Sequence, residues 1–126
     1  MEPTRTPKLA PYLVVPDAGA LIQFLEKGIG GTLTFRQPDA AGRVAHAEVR
    51  VADGVVMLGE APAGHPPFPG MVHLYVPDAD VAYRRALEAG ASSVRAPERA
   101  PDGDRRGGVR DPWGNQWWFT QLPTGA

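Results

Sequence analysis

His46, Glu48 and Arg50 occupy alternate positions in His46-Ala47-Glu48-Val49-Arg50. On a strand all three would project from one face, opposite Ala45, Ala47, Val49 and Val51. An imidazole, a carboxylate and a guanidinium so placed can bind an anion or a hydroxyl at the mouth of a cavity, although a plain solvated face reads the same way. His46-x-Glu48 also matches the opening of a zinc-deaminase signature, which Pro-Cys-x-x-Cys must complete; the chain has no cysteine. With His73 added, the residue types would suit zinc or nickel. His73 alone has the chemistry of a general base, or of a hydrogen-bonded pocket histidine. No glycine-rich phosphate loop and no Gly-x-Ser-x-Gly elbow is present.

Composition narrows the classes. The 126 residues are 43% hydrophobic and 21% charged, with a formal net charge of −1. That length predicts one domain, 1–126. The near-neutral balance argues against nucleic acid as a partner. Arg105, Arg106 and Arg110 cluster only locally. No apolar run reaches membrane-spanning length, and the start, Met1 to Lys8, lacks the apolar stretch of a signal peptide. The lack of cysteine is compatible with a reducing cytoplasm, where we expect the protein.

The elements that would position these residues come twice. Val15-Pro16-Asp17-Ala18 recurs as Val76-Pro77-Asp78-Ala79, sixty-one positions on. Each copy follows a strand-like run, Tyr12–Val15 or Val72–Val76. Each precedes a helical stripe: Ala18, Leu21, Ile22, Leu25 and Ile29 in the first, Ala79, Ala82, Tyr83, Ala86 and Ala89 in the second. Asp17 and Asp78 are predicted N-caps; Gly28 or Gly30, and Gly90, are predicted stops. Val49-Arg50…Gly54 matches Val109-Arg110…Gly114 more loosely, each with a turn between strand-like runs. The pattern predicts two β-α-β-β-β units, 9–60 and 70–122, joined by the proline-rich stretch 61–70.

These units carry a resemblance. Pro11-Tyr12-Leu13-Val14-Val15, His46-Ala47-Glu48-Val49-Arg50, Val76-Pro77-Asp78 before a helix ending Glu88-Ala89-Gly90-Ala91, and the block from Gly103 to Trp117 resemble the vicinal oxygen chelate superfamily of glyoxalase, bleomycin-resistance and dioxygenase proteins. The last block, with Gly107-Gly108-Val109-Arg110-Asp111-Pro112-Trp113-Gly114-Asn115-Gln116-Trp117, looks like that of the PhnB-like subgroup. The resemblance implies an α+β fold in which two βαβββ repeats form a curved mixed sheet around a cavity, often completed across a homodimer. It places the family's metal ligands on the first and last strands of each unit, positions that fall on Ala10, Met71, Trp118, and Met57 or Leu58. Alanine and tryptophan are not ligands for a hard divalent cation, and a thioether is a soft donor suited to copper(I).

Alternation puts Tyr12 with Ala10, His73 and Tyr75 with Met71, Gln116 and Thr120 with Trp118, and Val56 and Glu60 with Leu58. Trp117 and Phe119 go to the opposite, helix-covered side. The expected function is therefore metal-free binding of an apolar or aromatic small molecule, with antibiotic sequestration as one form. Tyr12, His46, Glu48, Arg50, Met71, His73, Tyr75 and Trp118 are the expected contacts, with no cofactor and a homodimeric state. Two other readings stay open: a metal-dependent glyoxalase-like lyase or dioxygenase with displaced ligands, and a non-catalytic structural or regulatory dimer.

Overall fold

A computed structural model of the chain describes residues 8–123, so the start, Met1 to Pro7, lies outside the described residues. Among the described residues, eight strands and two helices run in the order β1 (Tyr12–Val15), α1 (Ala18–Phe24, continued by a π-helical turn Leu25–Ile29), β2 (Thr32–Pro38), β3 (Val44–Val51), β4 (Gly54–Glu60), β5 (Met71–Tyr75), α2 (Ala79–Glu88), β6 (Ser92–Arg99), β7 (Arg105–Arg110) and β8 (Gln116–Gln121). The fold is α+β, with the order βαβββ occurring twice. Each set makes a four-stranded mixed sheet, ordered β1-β4-β3-β2 and β5-β8-β7-β6. The pairs β1–β4 and β5–β8 are parallel and the other pairs antiparallel.

Both helices begin as the sequence predicts. The Asp17 carboxylate accepts from Ala20 N at 3.0 Å, and that of Asp78 from Val81 N at 3.1 Å. Each satisfies one of the orphan donors of a first turn. The end of the first helix resolves the choice between two glycines. Gly30, at φ +83°, is the left-handed cap. Gly28 instead lies inside the π turn, where an added Cβ would stand 2.8 Å from Ala89 Cβ of the second helix segment. The two helices thus meet through a glycine and an alanine, and Arg85 Nε donates to Lys27 O across the same junction.

One hydrophobic cluster includes residues from both halves: Leu13, Val15, Leu21, Phe24, Leu25, Val49 and Leu58 with Ala79, Ala86, Val109, Trp117 and Phe119. Phe24, outside the predicted stripe, reaches the second half, its ring 6.2 Å from Trp113 and 6.4 Å from Trp117. Each sheet therefore has one covered face and one open face. On the open faces Tyr12 is 44% exposed, and Met71 and Tyr75 are each 64% exposed.

Candidate functional site

The register fixes which side chains share the open faces. In the first sheet Tyr12 pairs with Met57, Met57 with Glu48, Glu48 with Phe35, and His46 with Gln37. Met57 is therefore the residue on Tyr12's face. Leu58 pairs with Leu13 and Ala47 and is fully buried, so the alternative placing Leu58 with Val56 and Glu60 on the open face is corrected. The shift of one residue decides it, since it moves a side chain to the other side of the sheet. Glu60 accepts from Ala18 N at the start of α1 and pairs with Arg43. Ala10 also differs from expectation, because it precedes β1 and strand alternation does not orient it.

Three polar groups on this face form a chain. Tyr12 Oη lies 3.2 Å from His46 Nδ1, and His46 Nε2 lies 3.0 Å from Glu48 Oε2. The Tyr12 and His46 rings stack at 5.5 Å, with Phe35 5.8 Å from His46 on a tilted plane. Glu48 is only 4% exposed, and its other oxygen, Oε1, is buried with no hydrogen-bond partner among the described residues. Burial pushes the Tyr12 hydroxyl above the ordinary phenol value, because the charged form loses hydration. Gly59 makes the arrangement possible. A Cβ there would come within 2.9 Å of Tyr12 Oη and 2.5 Å of the Ala45 carbonyl oxygen. Arg50 is exposed, one pair further along β3.

The second sheet repeats the device with other residues. Trp118 is half-buried between His73 and Gly108 in register. A Cβ on Gly108 would lie 2.5 Å from the indole, so the ring lies against bare backbone. Trp118 Nε1 donates to Gln116 Oε1 at 3.0 Å, and the Arg95 guanidinium sits 6.0 Å from the ring centroid. His73 Nε2 bonds the buried Thr120 hydroxyl, and its ring is 5.3 Å from that of Tyr75. A cleft of about 370 Å³ at the β5 edge is lined by His73, Tyr75, Pro11 and the turn joining β3 to β4. Trp117, the neighbour in sequence, is fully buried, and its Nε1 donates to Asp111 at 3.0 Å.

The structure thus brings Tyr12, His46 and Glu48 together, and separately His73, Tyr75 and Trp118. It does not bring His46, Glu48 and His73 together: they lie on different sheets, and no group of three His, Asp or Glu able to hold a metal occurs among the described residues. The positions that the resemblance assigns to metal ligands, with Met57 taken on the open face, hold a methyl, two thioethers and an indole, groups that do not suit a hard divalent cation. Phe35, Gly59 and Gly108 were not anticipated. Strand alternation could have offered Phe35, but a register shift between Leu33 and Phe35 hides it. The two glycines carry no local signal, since each is required by a ring from another strand.

A family model described as the Glyoxalase/Bleomycin resistance protein/Dioxygenase superfamily matches residues 8–119. The chain belongs to that superfamily. It is 37% identical to the uncharacterized protein Rv0887c of Mycobacterium tuberculosis (strain ATCC 25618 / H37Rv), over 91% of this chain and 74% of that one. Among solved structures, TioX from Micromonospora sp. ML1 is similar with a TM-score of 0.78 and 29% identity, covering 92% of this chain and 98% of TioX. A superfamily member from Sphaerobacter thermophilus DSM 20745 gives a TM-score of 0.72 at 26% identity, over 92% of this chain and 97% of that one.

Proposed function

We propose that the protein binds a planar, largely apolar small molecule, with Trp118 as the principal contact and Met71, His73, Tyr75 and Tyr12 as neighbours, and that it does so without a metal. One observation carries the reading: Trp118 lies against the bare backbone of Gly108, its N–H engaged by Gln116 and its ring half open. A ring held in this way is a preorganised stacking platform, and stacking adds about 0.5–1.5 kcal/mol beyond area burial. The donor set at the superfamily's ligand positions favours binding without a cation. Within the superfamily we group the chain with PhnB-like proteins, on the block from Gly103 to Trp117. Antibiotic sequestration in the cytoplasm by a homodimer is the biological form we favour.

A titration of planar aromatic compounds, antibiotics included, followed by tryptophan fluorescence and calorimetry, tests this. A ligand should quench emission, and Trp118→Ala should weaken its binding by several-fold or more while leaving the fold intact. Elemental analysis of protein purified without added metal should find far less than one divalent ion per chain. A chelator-removable metal near one per chain, or binding indifferent to Trp118→Ala, would count against the proposal.

A further inference from the structure

The first sheet's open face holds more chemistry than binding requires. Glu48, when ionised, can only accept, so His46 Nε2 must be the donor across their 3.0 Å contact. That choice leaves Nδ1 as an acceptor, and the Tyr12 hydroxyl is the group 3.2 Å from it. Each hydrogen bond then has the same sense, from hydroxyl to imidazole to carboxylate, which is the polarity of a Ser-His-Asp triad. The two ends differ in exposure: Glu48 is 4% exposed and Tyr12 44%. A buried carboxylate with one oxygen unpartnered is costly to keep, and lies against a ring able to become a cation.

We propose that Tyr12, His46 and Glu48 form a proton relay that makes the Tyr12 hydroxyl a nucleophilic and acid–base group on the open face of the first sheet, acting on planar acyl or carbonyl compounds that can lie on the Tyr12, His46 and Phe35 rings. Tyr12 also borders the site proposed around Trp118, but the relay rests on Tyr12, His46 and Glu48 and not on what Trp118 binds. With an activated aryl ester, Tyr12 Oη attacks the acyl carbon as its proton passes to His46 Nδ1. The Nε2–H bond to Glu48 meanwhile holds the ring in place and faces the positive charge that forms. The acyl–oxygen bond to the phenolate then breaks, Tyr12 keeps the acyl group, and the proton on Nδ1 leaves to the phenolate or to water. Tyr12 would be the catalytic residue; Glu48 acts through His46 and is a positioning residue.

The three tyrosines supply an internal control, because Tyr75 is more exposed than Tyr12 and Tyr83 Oη donates to Ser93. Treated with p-nitrophenyl acetate and read by peptide mass spectrometry, Tyr12 should be acetylated on the order of tenfold faster than Tyr75 or more. Glu48→Leu, an apolar group for a buried position, and His46→Phe, which keeps a stacked ring, should each bring Tyr12 down to the Tyr75 rate. An unchanged Tyr75 rate and circular dichroism spectrum establish that the variants are folded. Nitrogen NMR should show His46 as the Nε2–H tautomer in the parent protein, and a mixture in Glu48→Leu. Exposure alone would label Tyr75 first. That outcome, a Tyr12 rate unmoved in the folded His46→Phe variant, or an Nδ1–H tautomer in the parent would overturn the relay.

Discussion

At the scale of single residues, the tandem Trp117-Trp118 and the nearby Asp111 show how one strand serves two purposes. Trp117 is fully buried, and Trp118 is half open on the other face. The Asp111 carboxylate, itself buried, accepts from Trp113 N at 3.0 Å, Asn115 N at 2.9 Å, Asn115 Nδ2 at 2.9 Å and Trp117 Nε1 at 3.0 Å. Asn115 in turn accepts from Gly70 N at 3.0 Å, tying the β7–β8 turn to the residue before β5. The Asp-Pro-Trp-Gly-Asn motif is therefore structural. Asp111→Ala strands several buried donors, and at about 1–3 kcal/mol for each group left unsatisfied it should lower stability by at least about 3 kcal/mol in urea unfolding. Trp117→Ala should cost about 3–5 kcal/mol, as emptying a large aromatic core site does. If instead Trp118→Ala were the destabilising member of the pair, the assignment of faces on β8 would be wrong.

At the scale of elements, the strand and helix pattern was legible where the local sequence decides the outcome. Caps are local, so Asp17 and Asp78 could be read directly, and alternation separated Trp117 from Trp118 without any tertiary knowledge. What escaped depends on contacts between distant segments. The choice of Met57 over Leu58 needed the pairing of β1 with β4, and the roles of Gly59 and Gly108 needed the rings that cross them. Gly28 belongs to the same class. Its added Cβ would meet Ala89 Cβ at 2.8 Å and Phe24 at 3.2 Å, so Gly28→Ala should force the helices apart and cost about 1–3 kcal/mol, despite the better helix propensity of alanine. A melting temperature equal to or above that of the parent would show that the junction is loose. The ion pair of Asp80 with Arg105, at 2.6 and 3.0 Å, joins the first turn of α2 to β7. The Arg105 hydrogen bonds hold the Asp80 carboxyl below its ordinary value. A group depressed in the folded state contributes stability above its unfolded value and loses it as pH falls through the folded one. Asp80→Asn should accordingly be less stable than the parent near neutrality. The two should converge once the pH drops below the usual carboxylate range, as measured by unfolding at a series of pH values.

At the scale of the whole molecule, the helices join the two halves while the open faces stay exposed. Contacts between halves run through Gly28 and Ala89, Lys27 and Arg85, and Phe24 with Trp113 and Trp117. Leu9, Phe68 and Met71 are exposed at 91%, 74% and 64%. Where such groups adjoin they make an association surface, and a second copy of the chain is the partner we propose. A closed homodimer uses the same patch on both chains, so the first sheet of one chain can face the second sheet of the other and enclose two equal cavities. Sedimentation should accordingly find dimers at micromolar concentration. A sharper test uses two chains that each lack one wall, Tyr12→Ala and Trp118→Ala. Neither homodimer should bind the planar ligand well. Unfolded together in equal amounts and refolded, half of the dimers are mixed, and each mixed dimer has one cavity with both walls intact. About one cavity in four should then regain parental affinity. A cavity built within a single chain predicts no recovery at any mixing ratio, so a flat titration of the mixture would rule out the shared site even where the dimer itself is found.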